Sequence, residues 1–350
     1  MARYGSTPVG ELGARTTGQA NQLGEVVSDT PASRPSNRNP FDHSIHQHQH
    51  HFLWDRDLAP AIEVEPGASV EFDTIDASGG QLTAASTAAD LAEVDFARVN
   101  PVSGPVFVRG ALPGDVLEVE VLELSMTGWG WTAIMPNFGL LADQYPDPWL
   151  KHWTLKPNDT IARFGDGIEV PVAPFPGTIG VAPPMPGHHS TLPPRPWGGN
   201  LDTRHLTVGT RLYLPVGVDG ALFSVGDTHA AQGDGEVCGT AIESRMRIAL
   251  RLGVRRDLRL RCPAFETFGA APGDRATSGA FVTTGVGPDL MAAAREAVSA
   301  MVEHLMKTAH LDASEAYALC SVAVDLKVHE IVDAPNWVVG AWLPKGIVLR

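Results

Sequence analysis

Hydrophobic and polar side chains alternate with a period of two in several stretches between residues 60 and 290. In 246–254, apolar residues occupy every second position: Met246, Ile248, Leu250, Leu252 and Val254. The same alternation recurs in 68–75, 116–124 and 211–218. A strand that buries one of its faces requires this spacing. The pattern therefore predicts a mostly β body.

The period changes near residue 288. Apolar residues are then spaced by three or four positions, as on one face of a helix: Leu290, Ala294, Val298, Met301 and Leu305. Asp312 followed by Glu315 is typical of a capping box and predicts a second helix. The return of Val, Ile and Trp after position 328 predicts one closing strand.

Two stretches lack either period. Residues 171–199 are so rich in Pro and Gly that we expect a long ordered loop, with no helix and no central strand. Residues 1–38 are rich in Gly, Ser, Thr, Asn and Arg, which predicts a flexible extension. The expected organisation is this extension, a catalytic body over 39–287, and a helical pair with its closing strand over 288–350. The expected class is mainly β, a sandwich- or barrel-like body with a smaller C-terminal α+β part.

Composition narrows the class of function. The net charge of −14 argues against nucleic-acid binding, because such proteins concentrate Lys and Arg. No apolar run is long enough to span a membrane, and none resembles a signal peptide. Three cysteines are too few for a disulfide framework and fit a reducing compartment. We therefore expect a cytoplasmic protein without a membrane or nucleic-acid partner.

Residues 43–51, HSIHQHQHH, form the densest polar cluster. Alternating His46, His48 and His50 would share one face of a strand, as in His-x-His metal sites. The alternative is a solvated histidine-rich segment beside the extension. The pattern alone leaves both open.

A second cluster lies in 226–243, GDTHAAQGDGEVCGTAIE. Asp227 and His229 share one face of an extended segment. The glycines at 233 and 235 allow a turn that returns Asp234 and Glu236 toward the same point. Imidazole and carboxylate ligands together suit a divalent cation such as zinc. An acidic surface turn is the alternative, but the apolar residues 221–225 favour burial, and buried carboxylates need partners or a metal.

Signatures of a covalent nucleophile are missing. The sequence has no G-x-S-x-G around Ser224 and no phosphate-binding or dinucleotide-binding motif. Cys238 is a conceivable nucleophile, although a small buried cysteine near a turn is the commoner case. Asp202 ends the turn Gly-Gly-Asn-Leu-Asp, which turn chemistry alone explains.

Four segments resemble the acetamidase/formamidase family. GPVFVRGALPGDVLEVEVLEL (104–124), PGTIGVAP (176–183) and ASEAYALCSVAVDLKVHEIVD (313–333) carry part of the likeness. The long motifs GGNLD and GDTHAAQGDGE, both within 198–243, are the most specific. His51 ahead of Trp54, followed by Asp76, is similar to the opening motif of the family. The resemblance covers roughly 45–345.

The resemblance implies hydrolysis of a short-chain amide to a carboxylate and ammonia, by a homo-oligomer that uses a divalent metal, with zinc as first choice. The ligands we expect are His51, Asp76, Asp227, His229 and Glu236. The residues expected to act on the substrate or its protons are Glu243, Asp234 and Asp202. The sequence does not divide metal binding from proton transfer among the carboxylates. Two other functions stay open: a non-catalytic carbohydrate- or metal-binding sandwich, and a His-x-His oxygenase on a jelly roll.

Overall fold

Most of the regular structure consists of two β-sheets that contribute to one hydrophobic core. The computed structural model describes residues 40–269 and 278–347. The predicted extension 1–38 lies outside the described residues. None of the helices in these two ranges is long and apolar enough to cross a membrane.

The described strands are β1 (His43–Ile45), β2 (His50–His51), β3 (Leu53–Trp54), β4 (Ile62–Val64), β5 (Ser69–Asp73), β6 (Val102–Val108), β7 (Val116–Met126), β8 (Gly128–Ile134), β9 (Trp149–Leu155), β10 (Ile161–Gly165), β11 (Ile168–Pro171), β12 (Phe175–Gly180), β13 (His189–Ser190), β14 (Gly198–Asn200), β15 (Arg211–Pro215), β16 (Phe223–His229), β17 (Met246–Arg255), β18 (Ala264–Glu266), β19 (Ala280–Gly287), β20 (Asp325–Glu330) and β21 (Trp337–Pro344). The helices are α1 (Leu290–Thr308) and α2 (Ala313–Ala323), with short 3-10 helices at Ala88–Glu93 and Phe96–Arg98.

The larger sheet has nine strands in the order β1-β5-β17-β7-β15-β18-β19-β21-β20. The second sheet has the order β14-β12-β16-β6-β2, and β4 pairs with β6 beside it. Neighbouring strands are antiparallel except in the pairs β1–β5 and β4–β6. Three two-stranded pairs, β8–β9, β10–β11 and β3–β13, complete the described β-structure. The predicted mainly β class with a helical C-terminal part is confirmed.

The alternating stretch at 246–254 forms the central strand β17, as predicted. Its alternate apolar side chains from Met246 to Leu252 are fully buried, whereas Arg247 and Arg251 are exposed. Each predicted strand in 68–75, 116–124 and 211–218 also lies in the larger sheet, as β5, β7 and β15. Local alternation was sufficient in these strands because they direct alternate side chains into the core between the sheets.

The C-terminal helices differ from the expectation in one detail. Helix α2 begins with the predicted capping box of Asp312 and Glu315. Helix α1 instead buries Ala293 and Ala297 in its first half, so its inner face is rotated by one residue from the predicted one. The reason is close packing on Gly285 of β19, where a Cβ would meet the Ala293 carbonyl oxygen.

After position 328 the chain also forms parts of two strands, β20 and β21, instead of one closing strand.

The Pro/Gly-rich segment 171–199 contains a central strand, so the prediction of a loop was wrong there. Strand β12 lies between β14 and β16. Its proline is tolerated because β14 pairs only with Thr178–Gly180, which leaves Pro176 outside that ladder. This correction matters because β12 passes directly beside the candidate site.

Candidate functional site

Strand β16 ends in the pair Asp227 and His229, and every residue of the strand is buried. Nε2 of His229 lies 3.1 Å from Oδ1 of Asp227. The two side chains face the same way, as the i, i+2 spacing predicts for extended chain. Their burial requires that the carboxylate be neutralised by a proton, a hydrogen-bond donor or a cation.

Glu243 reaches the same imidazole from a segment fourteen positions later. Isolated β-bridges pair Glu243 with both His229 and Trp131, which fixes its backbone. Oε2 of Glu243 lies 3.1 Å from Nε2 of His229, and its other oxygen accepts a hydrogen bond from the Ala241 N–H at 2.7 Å. Backbone pairing therefore sets the separation of this carboxylate from the imidazole.

Asp202 approaches the other edge of the imidazole, and Glu236 lies near both residues. Oδ1 of Asp202 lies 3.7 Å from Nδ1 of His229. One ligand atom from each of Asp202, His229 and Glu236 lies within 4.8 Å of the others, and the same holds for Asp227, His229 and Glu243. The structure thus brings together five of the eight residues expected from the sequence.

The hydrogen bonds of Gln232 assign the histidine tautomer. Its amide nitrogen donates to the Asp202 carbonyl oxygen at 2.8 Å, which turns its oxygen toward Nδ1 of His229 at 2.9 Å. Nδ1 then carries the proton, and the lone pair at Nε2 faces the carboxylate oxygens of Asp227 and Glu243. Three lone pairs repel one another unless a cation, either a proton or a metal ion, lies between them.

The donor set fits a divalent metal ion. Ligands about 2.1 Å from a common ion, at angles of about 90–109°, are about 3.0–3.4 Å apart. Both separations from Nε2 of His229 are 3.1 Å. Apart from the His229 imidazole, no hydrogen-bond donor among the described residues reaches Oε2 of Glu243, which is buried. Imidazole and carboxylate donors together suit a borderline cation.

Four further polar residues hold the cluster in place, and the sequence reasoning missed all of them. Asp227 accepts hydrogen bonds at 3.0 Å from both the Asn100 amide and the Thr178 hydroxyl. Asn200 accepts from Thr178 and donates to Asp333. Asn200 lies in the motif GGNLD and Asp333 ends the segment HEIVD. A polar residue within each of these family segments could have identified them as site residues. Asn100 carries no such signal.

Burial and mutual repulsion shift the protonation of the carboxyl groups. Burial raises the pKa of both Asp202 and Glu236 well above the ordinary value, and neighbouring carboxylates raise it further. Burial also raises the pKa of Glu243 to about 7, although His229 opposes the shift. The pKa of Asp333 rises to about 7 for the same first reason. Part of the cluster therefore holds protons at neutral pH.

Burial acts on the pKa of the imidazole in the opposite sense from its effect on the carboxyl groups, but the net shift is again upward. Burial lowers the pKa of His229, but the carboxylates of Glu243 and Asp227 outweigh burial and raise it well above the ordinary value. A positive charge at this point is therefore favoured, which agrees with the three converging lone pairs.

The backbone is unusual at four of these residues. Asn100, Asp202, Asp227 and Glu236 all have φ between 41° and 48°. Non-glycine residues rarely adopt this left-handed region, and where they do so they cluster at functional sites. The fold holds these side chains in position at a conformational cost.

A small cavity of about 40 Å³ opens onto the cluster. At roughly 10–15 Å³ per water-sized group, it has room for about three or four such groups. The residues that line it include no lysine or arginine; its polar lining is Ser78, Asn100, Asn200, Asp227, His229, Glu236, Thr240, Glu243 and Asp333. The cavity therefore suits a small neutral molecule that donates hydrogen bonds.

His51 and Asp76 do not join the cluster. Nδ1 of His51 contacts the Leu53 carbonyl oxygen and Nε2 contacts the Ser224 hydroxyl, each at 2.8 Å. Oδ1 of Asp76 accepts from the Ser78 backbone at 3.0 Å, from the Ser78 hydroxyl, and from the Trp131 indole at 3.1 Å. These contacts give both side chains structural partners.

Asp234 lies in a different charged group. Its Oδ1 is 3.2 Å from Arg204, 3.4 Å from His205 and 3.9 Å from His329. Burial opposes ionisation, but the hydrogen bond from His205 and the charges of His329, His205 and Arg204 hold the pKa of Asp234 well below its usual range. Asp234 thus anchors the turn that carries Glu236 into the cluster.

The histidine run does not form a His-x-His strand, the first of the two interpretations that the sequence left open. Residues 46–49 form a turn between β1 and β2, and the exposed rings of His46 and His48 stack on each other at 5.7 Å. The groups of possible metal ligands among the described residues include neither of them. The oxygenase alternative loses its geometric basis.

Known proteins with similar sequences and folds agree with this fold. The profile of the Acetamidase/Formamidase family matches residues 39–187 and 186–349, so the chain belongs to that family and the resemblance in its motifs is confirmed. A formamidase of Methylophilus methylotrophus is 27% identical, over 85% of this chain and 89% of its own. An acetamidase of Mycolicibacterium smegmatis is 30% identical, over 55% of this chain and 63% of its own. The crystal structure of an acetamidase from Bacillus halodurans superposes with a TM-score of 0.78 at 33% identity, covering 86% of this chain and 96% of that one.

Proposed function

We propose that the protein hydrolyses a short-chain carboxamide to a carboxylate and ammonia, with a divalent metal ion bound at the cluster. Water adds to the carbonyl carbon, the C–N bond breaks, and a proton passes to the departing nitrogen. Family membership supports the reaction class. The observation that carries the site assignment is the convergence of Asp227, Glu243 and the Nε2 lone pair of His229 at 3.1 Å.

Asp227, His229 and Glu243 would hold the ion. When bound, a divalent cation supplies Lewis-acid activation of water and of the amide carbonyl. Asn100 and Thr178 orient the Asp227 carboxylate through its second oxygen. These two hydrogen bonds hold the Asp227 side chain in one rotamer, in which Oδ1 is directed at the imidazole.

Glu236 would carry the proton. It lines the cavity beside the proposed ligands, is 7% exposed, and comes from the turn anchored by Asp234. A proton held on a carboxyl group inside the cavity is available to the amide nitrogen as the C–N bond breaks. This assignment exchanges the roles that the family resemblance implied for Glu236 and Glu243, because Oε2 of Glu243 lies 3.1 Å from Nε2 of His229.

Zinc is the cation that we propose first, since one imidazole with two carboxylates is a zinc ligand set. A cytoplasmic location and a homo-oligomeric state stay predictions from the sequence. All three cysteines are free thiols, which supports a reducing compartment.

Ammonia release from formamide and acetamide tests the proposed reaction. Purified protein should release ammonia and the matching carboxylate in equal amounts. A carbohydrate-binding sandwich would release neither from any amide. Oxygen uptake without ammonia would instead favour the oxygenase alternative.

A further inference from the structure

A second, larger space adjoins the cavity and is almost entirely apolar. This outer groove measures about 690 Å³. Its lining contains one charged side chain, that of Asp333, and the main apolar residues are Phe96, Phe138, Leu140, Leu192, Ile331 and Trp337. Substrates of the size of acetamide would leave the outer groove empty.

The outer groove is adjacent to the catalytic cavity. Phe96, Phe138, Leu192 and Asp333 line both spaces. The rings of Phe96 and Phe138 meet edge to face, with centroids 6.4 Å apart. A molecule bound at the cluster therefore has these two rings between it and the outer groove.

The polarity of the two spaces fixes the direction of the substrate. The inner cavity presents the buried carboxyl groups of Glu236, Glu243 and Asp333. The oxygens of Glu236 and Asp333, which are not among the proposed metal ligands, can accept from the two N–H donors of an unsubstituted amide nitrogen, whereas one alkyl group on the nitrogen would remove one of these donors. The acyl group is then the part that points toward the outer groove.

We infer that the outer groove binds an apolar acyl chain, so that the substrates are primary amides with about four to six carbons or a phenyl-bearing acyl group. This inference rests on the proposed amide hydrolysis. Apolar side chains that remain exposed in the groove, with Phe96 at 47% and Leu140 at 50%, would be covered by such a chain. Each methylene that enters an apolar pocket adds to selectivity.

The test compares acyl lengths in the full-length enzyme and in two variants. Leu140→Asp places a charge in the groove, and Leu141→Asp is the matched control, because Leu141 is similarly exposed at 46% and does not line it. We expect hexanamide to have a kcat/KM at least about ten-fold above that of acetamide. Leu140→Asp should remove that advantage and leave acetamide within about two-fold, while Leu141→Asp should change neither.

Four results would overturn the inference. Hexanamide could be no better than acetamide, or Leu140→Asp could lower both substrates equally. If hexylamine were released from N-hexylacetamide faster than ammonia from hexanamide, the group on the nitrogen, and not the acyl group, would occupy the outer groove. Dissociation of an oligomer by Leu140→Asp but not Leu141→Asp, measured by analytical ultracentrifugation, would make the groove a subunit interface. Acetamide turnover with any of these results leaves amide hydrolysis intact, whereas no turnover of any amide contradicts the proposed function itself.

Discussion

Nε2 of His229 lies 3.1 Å from Oε2 of Glu243, and a β-bridge between the same two residues fixes their backbones. Both residues are at most 2% exposed. A lone pair of His229 held this close to a buried carboxylate oxygen defines a cation position that local side-chain motion cannot abolish.

Replacing Glu236 by Gln should slow turnover and leave the metal in place. Glutamine keeps the size of the side chain but cannot transfer a proton, and loss of a general acid/base costs about 10²–10⁴-fold. Glu243→Gln should instead lower both metal content and turnover. Metal analysis beside ammonia release separates the two roles; an equal loss of metal in both variants would make Glu236 a ligand.

Gly177→Ala should disable the site without unfolding the sheets. A Cβ at this position would lie 2.5 Å from Oδ1 of Asp202 and 2.6 Å from Cε1 of His229. Misplacement by about 1 Å costs roughly 10²-fold. Gly165→Ala, in a strand where nothing lies within 4 Å, is the control and should retain activity. Equal activities in the two variants would show that the imidazole tolerates displacement.

His51→Ala should reduce stability and not metal content. The change leaves the buried Ser224 hydroxyl without its partner, at a cost of about 1–3 kcal/mol. His46→Ala, at an exposed turn, should stay within about 0.5 kcal/mol. Urea denaturation and metal analysis give both readouts. Loss of metal at an unchanged free energy of unfolding would restore His51 as a ligand.

His304 should contribute a loss of free energy of unfolding as the pH is lowered from about 6.5 to about 4. Burial lowers the pKa of this imidazole to about 4 in the folded protein. The unfolded chain, with a pKa of 6.5, therefore binds more protons in this window, and stability is lost as the pH falls.

His304→Phe should remove this contribution, so the slope of the free energy of unfolding against pH should decrease by up to one proton between pH 6.5 and 4. The stack on Phe281, now at 3.8 Å, can persist with a phenyl ring. Denaturation at several pH values gives the slope. An unchanged slope between pH 6.5 and 4 would mean that His304 titrates normally in the folded state.

Sequence patterns predicted the features that are local along the chain. The alternation in β17 and the capping box of α2 depend on neighbours within a few positions, and both were correct. The pair Asp227 and His229 was found because one extended segment carries both. Gly233 and Gly235 predicted a return of the chain, but that turn directs Asp234 to Arg204 and only Glu236 to the site.

The remaining features depend on contacts that no local pattern encodes. Asn100 meets Asp227 across 127 positions of sequence, and Asp333 meets Asn200 across 133. The strand β12 contradicts the usual effect of proline because its ladder with β14 begins after Pro176. The positive φ of Asp227 and Glu236 is imposed by this packing against the ordinary preference of those residues.

The proposed need for a metal ion at His229 is tested by ammonia release from acetamide. The same protein sample is measured before chelation, after removal of the metal, and after return of zinc. Metal content is measured at each step, and His229→Gln is measured beside the wild type. We predict that activity and bound metal fall together, return together in the wild type, and stay absent in His229→Gln. Full ammonia release by metal-free protein, or by the His229→Gln variant, would contradict the proposal that a metal ion held by His229 is needed for hydrolysis.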